Sequence, residues 1–308
     1  MKKILFALNV LVFTLPIYSQ INSADSTVQV IGYWDKNEKQ TYIITENSYQ
    51  VKNSTDTINR QLYTYNVDVE ILDSTANSYI IKWLYTNFDI KESANPVLAK
   101  LISISDSLSV IIKTDEYGSF QEVLNWEEGR DFIKKSCELL KPEFKTIPNF
   151  DKVIDQIKNL YSSKESIENS AIDEIHQFYA FHGVKYKLDE EINANIKIPN
   201  TYGGKPFDAL LTGMLEQINA EDDNAIFRMW QTADSKQVTD AAYDYLNSMQ
   251  QTMKVPEVKR EDFPVSTNDV RTASSIDGDT GWVLYSIQTK EIVADNILQV
   301  NERNIELQ

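Results

Sequence analysis

The stretch Leu62-Tyr63-Thr64-Tyr65-Asn66-Val67-Asp68-Val69-Glu70-Ile71 alternates apolar and polar residues almost without a break. From Tyr63 onward the odd positions are apolar or aromatic, and Thr64, Asn66, Asp68 and Glu70 fall between them. A period of two is that of a strand with one buried face, so this run sets a β-rich reading for its surroundings. Downstream, Asp73 to Asn77 supplies turn residues and Tyr79 to Phe88 reads as the next strand. Upstream, Val28, Val30 and Ile31 precede Tyr33-Trp34. Asp35-Lys36-Asn37-Glu38 is a polar turn, Tyr42-Ile43-Ile44 opens another strand, and Asn53 to Thr57 is a loop. Leu108 to Lys113 and Phe120 to Leu124 flank Asp115-Glu116-Tyr117-Gly118 as a hairpin, after a short helix over Pro96 to Ile104.

The middle of the chain changes period. Asn125 is placed to cap a helix with Glu127 and Glu128 in its first turn and Phe132, Ile133, Cys137 and Leu140 on one face. Phe150, Val153, Ile154, Ile157, Leu160 and Tyr161 form a second apolar stripe. Ile167, Ala171, Ile172, Ile175, Phe178, Tyr179 and His182 form a third, stopped by Gly183. Strands resume over Tyr186 to Ile198, Phe207 to Ile218 and Ala225 to Trp230. A helix follows from Ser235 to about Met253, and strands return around Asp277-Gly278-Asp279-Thr280-Gly281. Parts of the two halves superpose, as in Lys113 to Phe120 over Ser275 to Trp282, which suggests an internal repeat. The expected fold is therefore α+β: two similar antiparallel-sheet modules, each with a helix, joined by a central helical segment. The corresponding divisions are 1–20 for a signal peptide, 21–125 and 183–308 for the modules, and 126–182 for the central helices.

The signal peptide is expected from Lys2 and Lys3, the apolar run Ile4 to Leu15 and the break at Pro16, with a cut after Ser19 or Gln20. The run is too short to span a bilayer, and no later stretch is apolar for 18 residues, so no membrane span is expected in the processed chain. The expected location is periplasmic or secreted. The 308 residues carry 46 Asp+Glu against 30 Lys+Arg, a formal charge of −16, which argues against nucleic acid and anionic membrane surfaces. One Cys and two His exclude an intrachain disulfide and a four-ligand Cys/His zinc site.

The phrase from Thr114 to Glu128, with Tyr117-Gly118-Ser119-Phe120 at its turn, resembles a segment of uncharacterised exported proteins of Bacteroidota-type bacteria. The end of the signal segment at Ser19-Gln20 is similar to theirs too. The hairpin Ile276-Asp277-Gly278-Asp279-Thr280-Gly281-Trp282 resembles one in LolA-like periplasmic lipid-binding folds. That second resemblance implies a curved antiparallel sheet holding a lipophilic ligand, and neither resemblance brings catalytic residues.

Candidate sites are few. His176 and His182 stand six apart on a helix, about 120° apart in direction, and do not share a metal easily; His182 follows the apolar stripe and reads as packed. Asp277 to Gly281 starts like a calcium loop, but Trp282 and Gln288 occupy the positions that need Gly and Glu, so it reads as a turn. The neighbouring acids Glu127-Glu128, Glu190-Glu191 and Asp222-Asp223 read as solvated surface, and Cys137 as an inert buried thiol. No catalytic residue, metal or cofactor is assigned. The most suggestive group is the aromatic face Tyr63, Tyr65, Tyr79, Trp83 and Tyr85, either an ordinary sheet core or the wall of a ligand groove. The expected function is a non-catalytic binding or interaction protein of the cell envelope, for a lipophilic small molecule, a glycan or an envelope protein. The alternatives are an envelope hydrolase using a carboxylate pair and an assembly factor docking another envelope protein.

Overall fold

The computed structural model describes residues 20–52, 56–93, 95–146, 150–200, 202, 204–253, 259–294 and 297–308. Apart from Gln20, the expected signal peptide lies outside the described residues, as do residues 53–55 of the expected loop, Pro148 and Pro256. The strands are β1 (Ile21–Asn22), β2 (Thr27–Gln29), β3 (Lys39–Lys52), β4 (Asp56–Thr75), β5 (Ser78–Ser93), β6 (Ser109–Asp115) and β7 (Phe120–Val123). They continue with β8 (Lys185–Lys187), β9 (Glu191–Ile198), β10 (Phe207–Asn219), β11 (Asn224–Ala233), β12 (Thr267–Asp277), β13 (Val283–Ala294) and β14 (Ile297–Leu307). The helices are α1 (Pro96–Ser103), α2 (Trp126–Glu143), α3 (Phe150–Leu160), α4 (Lys164–Ser170), α5 (Asp173–Phe178) and α6 (Ser235–Met253).

The expected pair of α+β modules is overturned. One antiparallel sheet of 11 strands runs in the order β7-β6-β5-β4-β3-β14-β13-β12-β11-β10-β9, and a small sheet β1-β2-β8 lies beside it. The fold is mainly β. Its two halves meet where β14 pairs with β3 from Ile297↔Lys52 to Leu307↔Tyr42. The physical reason lies in those two strands: each would otherwise be a long unpaired edge, and pairing them satisfies both rows of backbone groups at once.

Three local readings are also corrected. The third helical stripe breaks at Ala171 and Ile172, which leave helical geometry as the end of α4 and the start of α5, so α5 is a separate short helix. Asn125 does precede α2, but its side chain makes no cap. Its Oδ1 accepts from Ile111 N at 2.8 Å and its Nδ2 donates to Ser109 O at 3.1 Å, tying the helix start to β6 instead. The expected strand Tyr186 to Ile198 is divided between β8 and β9 around Asp189, whose φ is 61°. The helices Pro96–Ser103 and Ser235–Met253 lie where the sequence places them. No helix among the described residues is long and apolar enough to cross a membrane.

A flat sheet of this width would span about 48 Å at ~4.8 Å per strand step. Yet His182, just after α5, meets both the β12–β13 turn, through the Gly281 carbonyl at 2.9 Å, and the β6–β7 turn, through Ser119 Oγ at 3.1 Å, so the sheet curls around that segment. Its apolar inner face is filled by large rings. Tyr42 and Trp83 each meet Phe178 edge-on with centroids 5.2 Å apart, and Trp34 lies 4.9 Å from Trp282 and 5.1 Å from Tyr79. Smaller cores form elsewhere. Val238 of α6 packs on Ile198, Phe207, Ala209 and Ala233, while Cys137, Leu140, Phe150 and Ile154 join α2 to α3.

His182 sits within the ring cluster, 3 % exposed, 5.6 Å from Trp34 and stacked on Phe178. Its Nε2 meets the Gly281 carbonyl at 2.9 Å, and since a carbonyl only accepts, the proton is on Nε2. Gly281 has φ 74°, and a Cβ there would come within 2.2 Å of Ile31 O, so this turn requires glycine. Burial lowers the His182 pKa to about 4, against smaller opposing effects of the Gly281 carbonyl and Asp115. The unfolded imidazole takes its proton near pH 6.5. The folded chain refuses that proton until about pH 4, so stability present above pH 6.5 is lost as pH falls through this window. The full loss is about 3 kcal/mol. Urea unfolding between pH 7 and pH 4.5 should show it, and His182→Gln should flatten the slope. An unchanged slope in the variant would remove His182 as its source.

Candidate functional site

The inner face of the sheet changes character above α5. Along β3 the buried positions Tyr42 and Ile44 are followed in phase by Glu46. Along β14, Ile305 is followed in phase by Arg303. The register sets Arg303 opposite Glu46, Glu46 opposite Tyr63, and Tyr63 opposite Ile90. On the other side of Arg303 the same row continues through Gln288 and Thr272. The next row outward brings together Lys290, Asn301, Ser48 and Gln61.

Arg303 and Glu46 form an ion pair whose side chains are only 16 % and 14 % exposed. Two tyrosines close it from below: Tyr65 donates to Glu46 at 3.5 Å, and Tyr85 donates to Glu174, which α5 brings down onto the sheet. Gln177 of α5 donates to Ser286 Oγ at 3.0 Å and to Arg303 O at 3.3 Å, fixing the helix against β13 and β14. Burial works against the Arg303 charge, but Glu46 and Glu174 outweigh it and hold the guanidinium above its ordinary pKa. Burial pushes the Glu46 carboxyl up from its ordinary value. Arg303 opposes this shift, and Glu174 and Asp173 add to it. Burial likewise raises Tyr63, Tyr65 and Tyr85, so all three stay protonated donors.

Above the ion pair the groups are polar and partly exposed. Ser48 donates to Asn301 Oδ1 at 2.8 Å and accepts from Gln299 Nε2 at 2.9 Å, while Gln288 donates to Thr272 Oγ1 at 3.0 Å. The buried Gln61 Oε1 has no hydrogen-bond partner among the described residues. A buried acceptor left open costs free energy unless something else donates to it. Two open clefts lie elsewhere: one of about 570 Å³ beside Lys197, Tyr202 and Tyr245, and one of about 540 Å³ beside Lys113, Glu122 and Lys164.

The sequence-predicted aromatic face is divided between two places. Tyr63, Tyr65 and Tyr85 come together at the ion pair, with centroids 6.2 Å apart for Tyr63 and Tyr65 and 6.0 Å for Tyr65 and Tyr85. Tyr79 and Trp83 belong to the ring cluster around Trp34 and Phe178. Of the five, Tyr63 is partly exposed and the others are buried. The two histidines meet different carbonyls, those of Glu168 and Gly281. Cys137 is buried and its thiol pKa is raised by burial, as suits an inert side chain. Asp277 Oδ1 accepts from Thr280 N and Oγ1, closing a turn, and no group of acids, His and Cys among the described residues could hold a metal ion. Glu46, Arg303 and Glu174 were not singled out from sequence. The available signal was a charge in phase with Tyr42 and Ile44, and another in phase with Ile305.

No protein-family model and no curated protein matches the chain. Neither resemblance read from the sequence therefore has a family match behind it. A solved structure described as "lipid-protein interactions in lipovitellin" is similar at TM-score 0.40 and 10% identity, covering 89% of this chain and 25% of that chain. The chain thus spans about a quarter of that protein's length.

Removing one partner of a buried ion pair costs about 3–5 kcal/mol, because the other charge is stranded. Arg303→Met should therefore destabilise by about that much in urea unfolding, and adding Glu46→Leu should recover most of the loss. Additive losses in the double variant would mean that the pair is not coupled.

Proposed function

We propose that this chain is a non-catalytic binding protein of the cell envelope whose ligand is a glycan held on the polar inner face above α5. The observation that carries this reading is the contrast along one face of one sheet. Its apolar part is occupied by Phe178, Trp83, Trp34 and Trp282, while its accessible part presents Ser48, Asn301, Gln288, Gln61 and Tyr63 around Glu46 and Arg303. Sugar hydroxyls both donate and accept, and such a surface offers both kinds of partner with an aromatic ring beside them. Export is supported by the charged and apolar order of residues 2–16.

A lipophilic ligand is less well supported, since the rows through Arg303 and Asn301 are mostly polar, with Tyr63, Ile90 and Val270 as their apolar members. A hydrolase needs two carboxylates facing each other across a cleft. Glu46 and Glu174 instead both act on the same guanidinium.

Calorimetric titration with a panel of soluble β-linked and α-linked oligosaccharides tests the proposal. At least one should bind, and Gln61→Ala and Tyr63→Ala should each weaken it about tenfold, the loss of one hydrogen bond or ring contact. Native mass spectrometry of the purified protein provides the opposite arm. A co-purifying lipid, with no oligosaccharide binding, would overturn the glycan assignment. Release of reducing ends during the titration would point to the hydrolase.

A further inference from the structure

The two edges of the large sheet are treated differently. At β7 the Val123 N–H donates to the Glu168 carboxylate of α4 at 2.7 Å, and Lys164 pairs with Glu122, so a helix closes that edge. At β9 no described residue beyond its neighbour β10 bonds to the strand backbone. β9 has 8 residues, no proline and no bulge, and Ile192 is 42 % exposed. An open edge of this length is a template for another strand, and proteins normally block one that has no use.

The sequence of the edge indicates what it pairs with. Glu191-Ile192-Asn193-Ala194-Asn195-Ile196-Lys197 is a palindrome about Ala194, apart from opposite charges at its two ends. We propose that a second copy of this chain occupies the edge, β9 against β9, antiparallel, with Ala194 facing its own equivalent across a two-fold axis. In that register Ile192 faces Ile196, Asn193 faces Asn195, and Glu191 faces Lys197, with each pair made twice. Antiparallel strands are held by such cross-strand pairs, and a two-fold interface demands a self-complementary surface. A shift by one residue would set the apolar side of one strand level with the polar side of the other. A shift by two separates Glu191 from Lys197.

Within one copy Lys197 pairs with Asp208 of β10, at the exposed surface. In the dimer its ammonium would stand between Asp208 and the second copy's glutamate, with donors enough for both. One strand pair buries less than the ~1,200 Å² of a standard interface, so the association is weak and concentration-dependent. The two inner faces would join into one surface, with Ile192, Ala194 and Ile196 at the seam.

Sedimentation velocity over a concentration series should show a monomer–dimer equilibrium. Glu191→Lys should weaken it at least about tenfold by facing like charges, and the swap Glu191→Lys with Lys197→Glu should restore it. Ala194→Cys should give a disulfide-linked dimer on mild oxidation, with the lone native Cys137 buried. Ile192→Cys should not link to itself, because four residues separate the two equivalents. A monomer at every concentration, failure of the charge swap to restore the dimer, or self-linking of Ile192→Cys as readily as Ala194→Cys would each overturn the proposal. In the first case the edge would be left to an extended segment of a different protein.

Discussion

The pairing of β14 on β3 is the constraint on which the rest of the molecule depends. It joins the last strand of the chain to the first long one, and it converts two half-sheets into a single curled one. It also sets a register in which Ile305 lies opposite Ile44 and Arg303 opposite Glu46. A slip of one residue would turn Ile305 outward and put Asn304 or Glu306 beneath α5. The apolar contacts of α5 and the buried Arg303–Glu46 pair therefore depend on one alignment. That alignment is protected against a one-residue slip because the slip buries a polar side chain among Phe178, Tyr42 and Trp83.

Such a closure has a kinetic consequence. Arg303 and Glu46 are separated by 257 residues, and Trp282 Nε1 donates to Glu38 Oε1 at 2.5 Å across a separation of 244. The centre of the sheet can assemble only when both ends of the chain are present, whereas the hairpins β4–β5 and β12–β13 are local. Topologies dominated by distant pairs fold slowly, because loop closure precedes the gain from contact. Until β14 arrives, β3 is an exposed edge whose inner row holds Tyr42, Ile44 and Glu46. The in-phase charge at Glu46 makes that edge a poor partner for an apolar strand of another chain, so the same residue serves pairing specificity before it serves the ion pair.

Local structure was legible from the sequence in proportion to how strictly one period held. The run from Leu62 to Ile71 lies within β4, the Ser235 helix runs to Met253, and Pro96 opens a helix capped by Asn95. Where two periods or two partners competed, local reading failed. The stripe from Ile167 to His182 is apolar at helical spacing throughout, yet it breaks at Ile172 because burying Ile175 and Phe178 in the curl requires a change of direction. Asn125 has the side chain of a helix cap but is used by the β6 backbone, which no local pattern reveals. The two-module reading failed for the same reason: a strand carries no mark of which strand it will pair with. Glu46 and Arg303 gain meaning only as opposites in a register, so a search for adjacent acids passed over them.

The abundance of aromatic residues has a different origin from the one composition suggests. A curled sheet of eleven strands encloses more space than one short helix can fill with aliphatic side chains. Phe178, Tyr179, Trp34, Trp83, Tyr42 and Trp282 supply the missing volume, and rings do so with few rotatable bonds. Filling that space with rings also buries their polar atoms, and Trp34 Nε1 and Tyr42 OH lie there without partners among the described residues. That cost is tolerable only in a core that is otherwise closed, where large apolar area offsets it. The rings therefore complete the packing of the lower inner face and are not available to a ligand. The surface that can be reached begins where the register replaces Ile44 and Ile305 by Glu46 and Arg303, and from that row outward polar groups such as Gln288, Thr272, Asn301 and Ser48 stand beside Tyr63, Ile90 and Val270.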